Sequence, residues 1–306
     1  MEMKSAASIL AAALLAGGCI FNQGGKSGCP APAAETTLVG FVLAHGGDAN
    51  RYVDPLRLWK TRKDGTPYES TAEVMAAGGS MAETLQAIPE QLDHARVAEC
   101  YRQDLYRGFV ATLLWGGMPR NATYSGTLRK IAQMDRREVV AKLSRLRKLL
   151  EENRVGEAFE SMTCDPETGA GNENHIDGIA ENYASKILFF LTYDMPATPR
   201  PLIYNKYLAY THCALIPDRK RRARYYSYDK AEGRLVSNIF KPDLAAEIYT
   251  DYCTSLAELA SRCGANNVGI FVEWIYDWPS EPKNGDDNPR TLSFREAVEK
   301  GGPAAK

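Results

Sequence analysis

Cysteine and histidine are present without the spacing that would make them ligands or a disulfide frame. The seven cysteines (19, 29, 100, 164, 213, 253 and 263) are odd in number and never form a CxxC pair, and the histidines at 45, 94, 175 and 212 stand apart. That excludes a compact disulfide scaffold and a zinc ribbon, leaves most cysteines as buried thiols, and gives no reason to expect a metal or organic cofactor. No apolar run reaches membrane-spanning length. No internal repeat of 20 to 50 residues occurs, which excludes a solenoid. Charge of one sign is not in excess either: 37 Lys and Arg balance 38 Asp and Glu, a net charge of −1. Any nucleic-acid binding must therefore come from local clustering.

The 306 residues are 44% apolar and 25% charged, the composition of a soluble globular protein with a sizeable core. Near the start, Lys4 followed by Ile9 to Cys19 resembles a bacterial lipoprotein signal, with Cys19 as the lipidated residue; Glu2 and Ala16 depart from that pattern. On that alternative the protein is a surface lipoprotein, anchored to the membrane outside the cytoplasm, whose domain binds a ligand or partner. Residues 20–36 have linker composition, so 1–36 is read as leader and flexible linker. Thr37 to Leu43 has strand-like residues and Arg62 to Pro67 is turn chemistry, which suggests a few strands in an accessory region over 37–98.

From there the pattern is helical. Met81 to His94 is interrupted by Pro89, Glu99 to Trp115 is periodic, and Asp135 is placed to cap an amphipathic helix through Glu152. That helix has a stripe of Val139, Val140, Leu143, Leu146, Leu149 and Leu150, and its basic residues read as a solvated face. Further helices are expected over 181–193, 202–216, 243–262 and 268–278, with a flexible tail over 281–306. The fold class is mainly α, with a helical domain over 99–280.

Two local features carry possible chemistry. Ile176-Asp177-Gly178-Ile179-Ala180 suits a tight hairpin whose following helix offers N–H groups to a phosphate, and short turns of this kind are also common in purely structural roles. Lys186 lies two turns into an otherwise apolar helix, where burial would favour the neutral, nucleophilic amine; the plainer reading has its stem reaching solvent or pairing with Glu181 or Asp177.

The run from Gly178 through Lys186 to Pro201-Leu202-Ile203-Tyr204-Asn205, preceded by Phe109 to Gly117 and followed by Tyr249 to Trp274, resembles bacterial proteins of the 8-oxoguanine DNA glycosylase fold, in the helix-hairpin-helix DNA glycosylase superfamily. The resemblance covers about residues 100 to 278. It implies an all-α enzyme that flips a damaged purine from double-stranded DNA and displaces it with a lysine amine, giving a Schiff base and AP lyase activity. Lys186 would be that nucleophile. The family's catalytic aspartate falls on Asn205, which as the second catalytic residue can orient a water or a sugar oxygen but supplies no negative charge, so the resemblance leaves three outcomes: reduced activity, another carboxylate such as Asp194 in its place, or DNA binding without catalysis.

Trp115, Tyr183 and Phe190 are candidates to stack on the extruded base, the alternative being core packing. Gly178 and Ala180 would meet the DNA backbone. Arg219, Lys220, Arg221 and Arg222, within a cationic run reaching Arg224, form either a phosphate-binding wall or a solvated loop.

Overall fold

Leu38 and Val42 are fully buried, one helical turn apart, and they fix the segment from Thr37 as a helix. A computed structural model describes residues 37–120, 125–163, 171–229, 234–241, 243–277, 292–293 and 295–297. The chain divides into the units Met1–Ala34 and Glu35–Lys306, and everything described belongs to the second. Cys19 and the leader lie outside the described residues. Among the described residues, no helix is long and apolar enough to cross a membrane.

The first helix, α1 (Thr37–His45), replaces the strand expected over 37–43. A short apolar run has no period of its own, and burial of Leu38, Val39 and Val42 on one helical face decides its form. The N-terminal strands are instead two-residue pieces. β1 (Arg57–Leu58) pairs antiparallel with β2 (Gln91–Leu92), across α2 (Glu69–Ala77) and α3 (Gly79–Ala87). The expected turn over 62–67 is present: Gly65 has φ of 84°, and Arg62 N–H donates to Thr66 O at 2.7 Å.

The helix expected over Glu99 to Trp115 is broken in two. Asp104 takes an extended conformation and its carboxylate accepts from Arg107 N–H, so α4 (His94–Gln103) ends and α5 (Leu105–Trp115) begins there. The two pack against each other. After α6 (Ser125–Ala132), α7 (Arg136–Glu151) is capped by Asp135 and buries Val139, Leu143, Leu146 and Leu150 of its stripe, with Val140 and Leu149 partly buried at its edges. Its basic face does more than meet solvent: Lys142 Nζ donates to His175 O at 2.7 Å and Arg145 Nε to Asn174 Oδ1 at 2.8 Å.

The remaining helices are α8 (Val155–Met162), α9 (Glu181–Leu191), α10 (Lys206–Leu215), α11 (Arg219–Tyr225), α12 (Ala245–Arg262) and α13 (Val268–Asp277). A hairpin of β3 (Tyr226–Asp229) and β4 (Arg234–Ser237) separates α11 from α12. The fold is mainly α. α9 is central, touching α4, α5, α7 and α8, and its buried residues join those of 37–98 in one continuous core. The tail, expected to be flexible, places Leu292, Ser293 and Ala297 in buried positions, and Glu296 Oε1 accepts from Leu38 N–H at 2.5 Å.

Candidate active site

The hairpin before α9 is a turn closed by Ile179 N–H donating to Ile176 O at 2.9 Å. Ile176 and Ile179 are buried, which leaves Asp177 and Gly178 outward. Gly178 has φ of 82°, and a Cβ there would stand 2.6 Å from Thr127 Cγ2, so glycine is needed for both conformation and space. Ala180 is the N-cap of α9 and has no side chain to satisfy the first-turn N–H groups. Lys142 and Arg145 of α7 grip the two residues just before the turn, so the hairpin is fixed to the body of the protein.

Lys186 projects from α9 into a nest built by several elements. Its Nζ lies 4.5 Å from the centroid of the Tyr183 ring. The Tyr183 hydroxyl donates to Gly116 O at 3.2 Å, and a Cβ on Gly116 would lie 2.6 Å from Tyr183 Cε1 and 3.4 Å from Lys186 Cδ. Only glycine at the end of α5 lets both side chains approach. Lys186 keeps a partial opening to solvent. Even so, desolvation by the surrounding protein pulls its amine down from 10.5 to about 8; Glu273 opposes that shift, Arg57 and Arg120 add to it, and Glu181 opposes it. The amine is then neutral more often than a free lysine at the same pH.

Glu273, on α13, is 4% exposed and its Oε2 is paired with Arg57 Nη2 at 3.0 Å. Burial raises its carboxyl above the usual range, and Arg57 and Lys186 counter that rise. The Arg57 guanidinium also sits 4.0 Å from the centroid of Trp115. Next to it, Asp54 Oδ2 accepts from His94 N–H at 2.5 Å and lies 3.3 Å from His94 Nδ1. That second contact is no ion pair, because burial drives the His94 ring down to about 3 and keeps it neutral.

Asn205 is a helix cap. Its Oδ1 accepts from Tyr207 N–H at 3.0 Å and Leu208 N–H at 3.1 Å, so α10 starts at Lys206 and not at Leu202. The buried, extended residues before it take partners from elsewhere. Tyr204 N–H donates to Ser185 Oγ at 2.8 Å, Tyr249 donates its hydroxyl to Leu202 O at 2.8 Å, and Tyr252 donates to Ile203 O. Ser185 thus ties Asn205's segment to the residue preceding Lys186. Asn205 lines a cleft of about 520 Å³ with Glu181, Asn182, Lys206, Arg234 and Tyr276. Asn182 is one turn ahead of Lys186 on α9. Lys186 itself and the run Arg219 to Arg224 are not among the residues lining this cleft. A second cleft of about 560 Å³, between α8 and α12, holds none of the residues singled out from sequence.

Trp115 and Phe190 belong to the core: Trp115 is 1% exposed and the two rings meet edge-on at 5.1 Å. Tyr183 is buried but faces the amine. The basic run is a helix, α11, capped by Asp218, and its members diverge. Arg219 and Lys220 are exposed, Arg221 pairs with Asp251 at 3.4 Å, and Arg224 with Glu247 at 2.7 Å. Arg222 turns inward, with Nε donating to Ile216 O at 3.1 Å and Nη2 to Pro217 O at 3.3 Å, so it caps the end of α10 and is not available to a phosphate. Asp194, the carboxylate considered as a substitute, pairs with the exposed Arg102 at 2.8 Å.

Arg57 and Glu273 were not identified from the sequence. A lone carboxylate inside Phe271-Val272-Glu273-Trp274 is the same kind of signal as Lys186 in its apolar helix. Arg57 has no such signal, since only tertiary folding brings a two-residue strand to this place. Among the described residues, no group of His, Cys, Asp and Glu could hold a metal ion. The four described cysteines, Cys100, Cys213, Cys253 and Cys263, are free thiols.

Residues 90–275 match the model of the family described as "Putative 8-oxoguanine DNA glycosylase OGG-like protein". Neither the curated proteins nor the solved structures contain a significant match. The matched residues are more than half of the chain and run from just before α4 to near the end of α13, enclosing Lys186, Asn205 and Glu273 while leaving Arg57 outside. The chain belongs to this OGG-like family of DNA glycosylase-like proteins.

Proposed function

We propose that the protein is a DNA glycosylase that excises an oxidised or otherwise modified base, with AP lyase activity through Lys186. The observation that carries this reading is the Lys186 nest, which supplies an amine that gives up its proton more readily than a free lysine and has access to solvent. In the reaction, the Nζ lone pair forms a bond to the sugar C1′ as the C1′–N bond to the base breaks. The base leaves with that electron pair and takes up a proton. Loss of a proton from nitrogen and opening of the C1′–O4′ bond, with a proton going to O4′, gives the Schiff base. The Gly178–Ala180 turn and the N-terminal end of α9 suit a DNA phosphate, with Arg219, Lys220 and Arg221 as further backbone contacts. The activity is assigned to the helical body over 99–280, in the bacterial cytoplasm where its substrate lies.

Borohydride added to the purified chain with duplex DNA carrying an oxidised base is expected to trap a covalent adduct, absent in Lys186→Ala. Failure of the intact protein to form an adduct with any of several lesions would reject the enzymatic reading.

The capping role of Asn205 favours a second reading, a DNA-binding relative without catalysis, because the Oδ1 that would face the sugar is spent on two backbone N–H groups. It predicts salt-dependent binding without base release. The lipoprotein reading concerns Cys19 alone and is tested by palmitate labelling of the wild-type chain against Cys19→Ala.

A further inference from the structure

We propose that residues 51–63 form a DNA-contacting strip: Val53, Leu56 and Leu58 press between bases next to the nucleotide held at Lys186, and Lys60, Arg62 and Lys63 meet the flanking phosphates. This rests on the reading of the chain as a DNA glycosylase that acts through Lys186. The strip lies outside the residues that match the family, which span 90–275. Among the described residues, the exposed large apolar side chains are Val53 at 82%, Leu56 at 50% and Leu58 at 37%, and all three fall within this one stretch. Single exposed apolar residues are ordinary, whereas a cluster of them marks a contact surface.

The exposure is not that of a loose loop, because inward residues alternate with the outward ones and each is anchored. The Tyr52 hydroxyl donates to Asp277 Oδ2 at 3.1 Å, and Asp54 Oδ2 accepts from His94 N–H at 2.5 Å. Arg57 Nη2 donates to Glu273 Oε2 at 3.0 Å. Trp59 is 1% exposed, and its Nε1 donates to Pro89 O at 2.6 Å. Leu58 is further held by the pairing of β1 with β2. These anchors hold Val53, Leu56 and Leu58 in solvent, at a cost in apolar hydration that is recovered when a partner covers them.

Charge identifies the partner as a polyanion. The strip carries five cations, Arg51, Arg57, Lys60, Arg62 and Lys63, against the one carboxylate Asp54. Asp54 and Arg57 are the pair turned inward, so the outward charge of 51–63 is all positive. Asp64, which follows, accepts from Thr66 N–H at 2.9 Å. Duplex DNA offers phosphates to such cations and an apolar, stacked interior to the side chains between them. A membrane surface has the same two properties, and position decides for DNA. The Arg57 guanidinium rests 4.0 Å from the centroid of Trp115, and the next residue, Gly116, is the one against which Lys186 packs, a Cβ there lying 3.4 Å from Lys186 Cδ. The strip is thus anchored beside the amine, where a nucleotide that leaves its stack to reach Lys186 opens a gap for an apolar side chain to fill.

The test is binding of the full chain to duplex DNA across salt concentration, with a fluorescent adenine analogue beside a modified base to report unstacking. Val53→Ser with Leu56→Ser should weaken binding about tenfold, abolish the wild-type rise in fluorescence and leave the salt slope unchanged, because apolar contacts release no counterions. Lys60→Gln with Lys63→Gln should keep the fluorescence rise and flatten the slope of log affinity against log salt by about 0.9 for each phosphate no longer met. All four residues are exposed, so both variants should melt with the wild type. Wild-type affinity, slope and fluorescence in both variants overturn the proposal, and borohydride trapping by those variants would leave the glycosylase reading standing. The expected losses in a chain that traps no DNA uphold the strip and reject the glycosylase reading. If the wild type binds vesicles of phosphatidylglycerol and phosphatidylcholine but no duplex, the strip is a membrane surface and the proposal is overturned. It is likewise overturned if the serine pair turns a wild-type dimer into a monomer at unchanged DNA affinity, since the patch then binds a second copy.

Discussion

The Tyr183 hydroxyl donates to the carbonyl oxygen of Gly116 at 3.2 Å, which ties the end of α5 to the face of α9 that bears Lys186. Because the added methyl of Gly116→Ala would overlap Tyr183 Cε1 and press on Thr112 O at 3.1 Å, one of the two helices must shift. The variant is expected to lose about 1–3 kcal/mol in urea unfolding. It should also trap less DNA than wild type at equal folded concentration, because the displaced tyrosine no longer packs beside the amine.

Lys186 limits stability where it supports chemistry. Its folded amine titrates near 8, and the unperturbed value is 10.5, so between these pH values the unfolded chain binds a proton that the folded one has released. Stability from this group therefore rises as pH climbs from about 8 to 10.5, and below 8 the folded state bears the full cost of a charged amine in the nest. Lys186→Met should remove that rise and be more stable than wild type at pH 7 by roughly 2 kcal/mol, measured by denaturant titration at pH 7 and pH 10. Equal stability gaps at both pH values would refute the account.

The parts of the molecule legible in sequence are those whose signal is local. Asp135 and the leucine stripe after it define α7 because cap and period agree. Lys186 is conspicuous as a charge in an apolar helix. Where competing local signals exist, burial decides: Thr37 to Leu43 has strand-forming residues but buries Leu38 and Val42 on a helix face, and Asp104 sits within an apparently unbroken helical period but takes the cap conformation. Charge is the least legible of all. Arg219 to Arg222 is one basic run in sequence, yet a helix sends Arg222 inward and its neighbours out, and the cation that meets Glu273 is the distant Arg57.

Asn205 separates capping from charge. Asparagine and aspartate cap helices about equally well, and alanine does not. Asn205→Ala is expected to cost about 1 kcal/mol of stability in thermal or urea melts. Asn205→Asp should keep stability within a few tenths of a kcal/mol and add a carboxylate next to the cleft that Asn205 lines. Increased base release by Asn205→Asp would show that the missing charge limits the wild-type protein, whereas unchanged release would show that it does not.

The two ends of the basic run should respond to opposite measurements. Arg219 and Lys220 are exposed, so Arg219→Gln with Lys220→Gln should leave the melting transition in place while weakening duplex binding, and the slope of log affinity against log salt should flatten by about 0.9 for each phosphate no longer neutralised. Arg222 is 7% exposed and donates to Ile216 O and Pro217 O. Arg222→Gln leaves those carbonyls without their donor and should cost about 1–3 kcal/mol of stability, with no change in salt slope for the folded fraction. Were Arg222→Gln to flatten the salt slope while retaining wild-type stability, its guanidinium would have to face DNA and the inward orientation would be wrong.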